Sequence, residues 1–386
     1  MTDTQSEGVT PSREALDWAA ERWGQDPGGL SATPLPGDAS RRRYTRLDSG
    51  DETRILLESP DPVENAAWFL EGRRLLKEGF PLPEIMAWNL ERGFFLVEDL
   101  GDVHLSDLEP PPVSWEGGGL LPSEGAAGGA PKREGEGGDH GGGDGGPAAD
   151  SGFDPETEFA CACRKAAQVL AALHDRGWQC LAPVADAVAP PYDAEFVLAH
   201  EWSYFLDGAR LMGMEGTFER ELAQEGRKIA ALAASERERS FIHRDFQSRN
   251  VLVRDGEVYL IDWQGGRLGP PFYDLASFVF DPYTELTLAA REDIAYAYLA
   301  ARVSPHDTDD WRGRTRFFGL VRLMQAAGAY AHLARARGKP NFLRYLPRAV
   351  WRARQLARDM PEGLLPGLCS FLDDYLARLP GMLGGT

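Results

Sequence analysis

The chain has 386 residues, 43% of them hydrophobic, and a formal net charge of −19. That length carries one large domain or two modest lobes with a real core, and so acidic a balance argues against nucleic acid or an anionic membrane surface as partner. No apolar run approaches the ~18 residues of a membrane span, the polar stretch 1–10 lacks a signal-peptide pattern, and Cys161, Cys163, Cys180 and Cys369 are too few and irregular for a disulfide framework or zinc site, so a reduced, cytoplasmic protein is expected.

Apolar spacing predicts a short amphipathic helix over residues 13–23. A polar stretch with Gly and Pro follows. Residues 44–47 and 54–58 read as short strands joined by the turn Asp48-Ser49-Gly50-Asp51. Helical spacing returns over 62–77, and residues 94–97 form a buried strand after the turn Glu91-Arg92-Gly93. The first hundred residues therefore predict a small antiparallel sheet with one main helix. Residues 110–152 are dense in Gly, Pro, Ser and Glu. They bury too little to offset their ordering entropy and read as a disordered insertion, with an active-site lid as the alternative. Beyond it, helices are expected over 159–174, ending at Asp175-Arg176-Gly177, and over 196–206 and 215–234. Residues 241–263 are strand-rich, and the pattern from Asp274 onward is helical. A sheet-rich part followed by a large helical part predicts an α+β fold of two lobes.

The chemistry concentrates in His243-Arg244-Asp245-Phe246-Gln247-Ser248-Arg249-Asn250, an H-R-D followed by four residues and Asn. Residues 251–253 then read as a strand, Asp255-Gly256 as a tight hairpin turn, and 258–261 as the return strand ending at Asp262. The hairpin returns Asp262 to the neighbourhood of Asn250, so a carboxylate and an amide oxygen can converge on a hard cation. Mg²⁺ suits such a pair, because it takes its remaining ligands from water and phosphate. Asp245, on the same loop, is placed to orient a hydroxyl and accept its proton. The pattern matches the catalytic loop of protein-kinase-like enzymes. Trp263-Gln264 follows Asp262 where a protein kinase has Phe-Gly, and there is no A-P-E segment; both departures point to a small-molecule kinase. His243 and Arg244 read as scaffold, and Asp274 as a helix cap worth ~1 kcal/mol.

On these residues the chain resembles the aminoglycoside phosphotransferase superfamily. It is more closely similar to bacterial kinases that phosphorylate the anomeric hydroxyl of N-acetylmuramate and N-acetylglucosamine. Three blocks carry the closer likeness: Gly37-Asp38-Ala39-Ser40-Arg41-Arg42-Arg43-Tyr44-Thr45-Arg46; His243 through Asp262 to Gly269-Pro270 and Tyr273-Asp274-Leu275; and Gly338-Lys339-Pro340 with Leu343 and Leu346-Pro347. Arg41 stands where that family usually has an apolar residue. The resemblance implies ATP and Mg²⁺ as cofactors, Asp245 as catalytic residue, and Asn250 and Asp262 as metal ligands. No lysine precedes Lys77, so the phosphates would fall to Ser40 and to one or two of Arg42, Arg43 and Arg46, whose planar forks suit phosphate oxygens. Glu98 and Leu100 would lie in the hinge that receives adenine. Glu64 or Glu71 could orient the phosphate-binding arginine or face solvent.

The acceptor segment of that family corresponds to His200 through Gly208, with Asp207-Gly208 standing where Glu-Trp is usual. Glu201, Tyr204 and Asp207 are the substrate-binding candidates; an amphipathic helix with core aromatics reads equally well. The expected organisation is an N-lobe over 1–101, closed by the hinge, and a C-lobe over 102–386 holding the catalytic loop, metal and acceptor site. The expected function is ATP- and Mg²⁺-dependent phosphorylation of an N-acetyl amino sugar at its anomeric hydroxyl, in cell-wall sugar recycling. A kinase for an aminoglycoside, choline-like amine or other sugar is one alternative, and a catalytically silent nucleotide-binding adaptor is another.

Overall fold

A computed structural model describes residues 10–35, 42–108, 154–214, 219–303 and 310–383. The expected insertion, 110–152, lies outside them. Helix α1 (Arg13–Trp23) is capped by the Ser12 hydroxyl and stopped by Gly24 in the left-handed region. Strands β1 (Ser31–Pro34), β2 (Arg43–Asp48), β3 (Thr53–Glu58), β4 (Ile85–Asn89) and β5 (Phe94–Glu98) form one antiparallel sheet in the order β1-β2-β3-β5-β4. Helix α2 (Pro62–Lys77) connects β3 to β4. The two central strands are buried on both faces. Leu56, Phe94 and Leu96 pack under α1 with Trp18, while Ile55, Leu57, Phe95 and Val97 face α2 with Trp68 and Phe69. That double burial is why residues 94–97 read as an unbroken apolar run. The edge strands β1 and β4 lacked any such signal. One is short and ends in proline, and the other is bulged between Ile85 and Ala87, as edges commonly are.

The remainder is mainly helical: α3 (Glu158–Leu181), α4 (Ala194–Phe196), a π-helical turn at Val197–Trp202, α5 (Ser203–Leu211), α6 (Glu219–Ala234), α7 (Pro271–Val279), α8 (Leu288–Ala301), α9 (Trp311–Arg335), α10 (Leu346–Arg358) and α11 (Pro366–Leu383). Two small ribbons interrupt it, β6 (Ser240–Ile242) with β9 (Arg267–Gly269), and β7 (Val251–Arg254) with β8 (Glu257–Leu260). The expected two-lobed α+β architecture is present. Helix α3 does not end at Gly177 but runs on to Leu181. Gly177 serves close approach instead, since a Cβ there would stand 3.3 Å from Phe241 Cβ. Among the described residues no helix is long and apolar enough to cross a membrane.

Candidate active site

The catalytic-loop candidate leaves β6 at Ile242 and is held from below by α7. The fully buried Asp274 carboxylate accepts the backbone N–H groups of His243 (2.6 Å) and Arg244 (2.8 Å). Asp274 is therefore not a cap. It sits inside α7, whose N-cap position is Pro270, and it clamps a neighbouring loop. A polar chain stands behind it. Arg302 donates to the Tyr298 hydroxyl, which lies 2.7 Å from His174 Nδ1, and His174 Nε2 lies 3.3 Å from Asp274. Burial lowers the pKa of His174, so the neutral ring takes the proton on Nε2 and donates it to the carboxylate. The clamp holds Arg244 at φ 72°, in the left-handed region that a non-glycine residue seldom occupies. His243, expected as scaffold, is buried and its Nε2 lies 3.0 Å from the Ile261 carbonyl.

The hairpin forms as expected. Asp255 and Gly256 both have positive φ, as a tight primed turn demands. The Ile261 N–H donates to the Asn250 carbonyl at 3.0 Å. The Asn250 side-chain N–H donates to the Asp245 carbonyl at 2.8 Å, which leaves its amide oxygen as an acceptor. Asp262 follows at φ 66°, its carboxylate accepting Gln264 Nε2 at 2.6 Å. The turn after it passes beside Asp245, for a Cβ on Gly265 would lie 3.7 Å from Asp245 Oδ2. Asp245, Asn250 and Asp262 are thus gathered at one end of the hairpin. Among the described residues no three His, Cys, Asp or Glu side chains cluster as a metal cage. An amide oxygen plus a carboxylate nevertheless fits Mg²⁺, whose other positions go to water and phosphate. Trp263, in the place of the protein-kinase Phe, is buried. Its indole donates to the Trp68 carbonyl (2.9 Å) and stacks on the Trp68 ring at 5.1 Å. Gly72 makes the space, since a Cβ there would meet Trp263 at 2.6 Å. The Asp262 segment is fastened to α2 in this way.

The arginines of the early loop separate. Ser40 lies outside the described residues. Arg42 is buried, 3.2 Å from Glu64 on α2 and 5.7 Å above the Trp68 ring. Burial raises the Tyr44 phenol pKa, Arg42 opposes it and Asp262 adds to it, which places all three groups in one neighbourhood. Glu64, half-exposed, thus faces the arginine. Glu71 faces neither solvent nor an arginine fork. It is fully buried, with no hydrogen-bond partner for either oxygen among the described residues. Burial pushes its pKa up to about 8 against the opposing Arg267. Arg43 pairs with Glu58 on the neighbouring strand at 2.8 Å. Arg46 makes a double fork to Asp99 and Asp102, at 2.5–2.9 Å. It ties the expected hinge to β2, and neither Arg43 nor Arg46 is brought to the Arg42 neighbourhood. In the hinge, Glu98 accepts the Glu84 N–H at 3.2 Å and pairs with Arg254 at 3.3 Å, while Leu100 is buried.

On the other side of Asp245 stands a group the sequence reading missed. Arg322 of α9 reaches Asp245 Oδ1 at 3.0 Å and Gln247 at 3.0 Å, and also donates to Gln325. Burial raises the Asp245 pKa, but Arg322 and then Arg244 outweigh it and hold the carboxyl below its ordinary range. An arginine and a glutamine one turn apart inside the buried run Gly319–Tyr330 were the available signal. Glu201 is buried in the π-helical turn. It accepts the Tyr273 hydroxyl at 3.1 Å and lies 3.8 Å from Arg244 Nε. Burial pushes its pKa up to about 7 against Arg244 and Arg322. Tyr204 stacks on His332 at 4.4 Å. Asp207 points outward to Arg210 and is exposed, so the structure does not bring it to the site. The departure at Gly208 has a physical reason: a Cβ there would be 2.7 Å from Gly328 Cα, and a tryptophan cannot fit between α5 and α9. A cavity of about 490 Å³, lined by Leu198, Trp202, Leu206, Met214, Leu222 and Phe371 among others, lies between α5 and α6. None of the groups around Asp245 lines it.

The phosphotransferase enzyme family matches residues 142–317. The N-acetylmuramate/N-acetylglucosamine kinase of Pseudomonas aeruginosa is 28% identical, over 90% of this chain and 93% of its own. That of Pseudomonas putida is 24% identical, over 88% and 87%. Among solved structures, a thermostable aminoglycoside phosphotransferase mutant in complex with ADP and hygromycin B superposes with a TM-score of 0.52 at 17% identity, over 89% of this chain and 98% of that one.

Proposed function

We propose that this chain, which matches the phosphotransferase enzyme family over residues 142–317 and is similar to relatives named as amino-sugar kinases, is a small-molecule kinase that moves the γ-phosphate of ATP to the anomeric hydroxyl of an N-acetyl amino sugar, N-acetylmuramate or N-acetylglucosamine. One observation carries the reading. Asp245 is presented on a loop locked by Asp274, beside the oxygen pair of Asn250 and Asp262, with its carboxylate kept ionised by Arg322. In this role Asp245 orients the acceptor hydroxyl and takes its proton as the phosphoryl group departs. Asn250 and Asp262 would hold Mg²⁺, which neutralises phosphate charge when bound. Arg42, steered by Glu64, is the best-placed substitute for the strand lysine of protein kinases. The hinge around Glu98 and Leu100 would receive the adenine, and Glu201 and Tyr204 would border the acceptor. The likeness to relatives named as kinases of these sugars supports the acceptor class.

The test is an acceptor panel with ATP consumption as readout, followed by NMR of the phosphorylated carbon. Sugar 1-phosphate formation is expected, with turnover lost in Asp245→Asn while ATP binding is kept. Transfer to aminoglycosides or choline-like amines but not to amino sugars would overturn the acceptor assignment, and no turnover with any acceptor would leave a nucleotide-binding adaptor.

A further inference from the structure

Three guanidinium groups surround the acceptor side of Asp245. Arg322 is spent on Asp245, Gln247 and Gln325. Arg267 of β9 is buried; it donates to the carbonyls of Gly265 and Pro190 and lies 4.0 Å above the Phe196 ring. Among the described residues no carboxylate is its hydrogen-bonding partner, and burial with Arg244 nearby pulls its pKa down to about 10. Arg244 lies 5.1 Å above the same Phe196 ring and only loosely against Glu201, and its buried Nε has no hydrogen-bond partner among the described residues. Against three positive charges stand Asp245, Glu201 and, on the Arg267 side, Glu71; burial pushes Glu201 up to about 7 and Glu71 up to about 8, so neither is fully ionised near neutrality. His200 is pushed toward neutrality by burial, Arg244 and Arg267, and burial keeps the phenols of Tyr192, Tyr204 and Tyr273 protonated. In a chain of net charge −19, this corner carries a local excess of buried positive charge. Such an excess is costly unless something anionic completes it.

We infer that Arg244 determines acceptor specificity by pairing with a carboxylate on the sugar, with Arg267 and Arg322 supporting it, so that acidic sugars are preferred over neutral ones and cationic ones are rejected. The inference rests on the amino-sugar reading above. Arg244 suits the role because it neighbours Asp245 in the chain, is held in a strained backbone conformation and keeps part of its side chain exposed. A carboxylate there would meet a planar fork rather than a point charge. A cationic acceptor would meet like charge, which discriminates as strongly as the attraction does.

The experiment compares kcat/KM at saturating ATP and Mg²⁺ for N-acetylmuramate, whose lactyl ether carries a carboxylate, N-acetylglucosamine, which is neutral, and glucosamine, which is cationic. The expected order is acidic, neutral, cationic. Arg244→Gln should lower the acidic-to-neutral ratio at least tenfold, whereas Arg210→Gln on the surface should leave it unchanged. An Arg244→Gln enzyme that loses both substrates equally, or keeps the wild-type ratio, overturns the inference and leaves Arg244 as scaffold. If that variant does not fold, ionic strength decides on the wild type. Rising salt should depress kcat/KM for the acidic sugar relative to the neutral one, and parallel responses refute the pairing. Wild-type enzyme that binds ATP but turns over none of the three sugars refutes the amino-sugar reading itself, which is a different result.

Discussion

Removing the Asp274 carboxylate should disable the loop that carries Asp245 without touching substrate. Asp274 accepts two backbone N–H groups at 2.6 and 2.8 Å and lies 3.3 Å from His174. Hydrogen bonds to a charged partner contribute roughly 1.5–3 kcal/mol each, so the two backbone bonds together are worth about 3–6 kcal/mol. The same bonds offset the strain of Arg244 at φ 72°, which costs on the order of 1–2 kcal/mol for a non-glycine residue. Asp274→Ala therefore both orphans two buried donors and frees Arg244 to relax, which displaces Asp245. A misplacement of about 1 Å at a reacting group can cost about a hundredfold in rate. The expected result is a lower denaturant midpoint and a hundredfold or greater loss of kcat, with ATP affinity little changed. Asp274→Asn keeps one acceptor oxygen and should fall between. The assays are urea unfolding and steady-state kinetics on all three proteins. An Asp274→Ala enzyme with wild-type kcat would refute the clamp, and equal damage from Asn and Ala would show that the loop needs the full carboxylate and that one acceptor oxygen does not suffice.

Three further outcomes follow from the same coordinates. Arg42→Ala should lower kcat/KM for ATP by one to two orders of magnitude, as loss of one charge-assisted contact of about 1.5–3 kcal/mol implies; Glu64→Gln should do less, and an unchanged Arg42→Ala enzyme would exclude Arg42 from the phosphate site. Arg322→Leu removes the strongest influence holding the Asp245 carboxyl low, so burial then raises it. The acid limb of the pH–rate profile should shift to higher pH, and superimposable profiles would refute the pairing. Glu71, with its pKa pushed up to about 8 by burial, binds more protons folded than unfolded between the ordinary carboxyl range and that value. Stability should therefore fall as pH rises through this window, by up to roughly 5 kcal/mol at ~1.4 kcal/mol per pKa unit. Glu71→Gln should flatten the dependence, as read by urea midpoints at pH 5 and pH 9.

The hairpin with Asp245, Asn250 and Asp262 was legible because local rules fix it: an Asp-Gly turn sets the register, and register sets which side chains share an end. The central strands were legible from apolar runs, and the edge strands β1 and β4 were not, since half-exposed edges carry little hydrophobic pattern. The arginine proposed to face the phosphates could not be chosen from sequence. Arg42, Arg43 and Arg46 sit within five residues, and only strand alternation and the partners Glu64, Glu58 and Asp99 tell them apart. Gly177 misled for a related reason. A glycine marks a helix end in sequence, whereas here it marks contact with Phe241, a residue more than sixty positions away. Asp207 misled likewise, because a helix register that buries Gly208 against Gly328 turns its neighbour outward.

Net charge was the least informative number about the site, and the reason is spatial. Many arginines are spent on acidic neighbours at or near the surface, as in Arg312–Glu292, Arg314–Glu236 and Arg358–Asp373. Such pairs contribute little and are screened by salt. Other arginines are largely buried, Arg42 beside Glu64, and Arg244 with Arg267 beside Asp245 and Glu201. Low local dielectric makes those charges count for more than the surface excess of acid. A strongly acidic chain can therefore hold locally cationic interior sites that its net charge does not reveal.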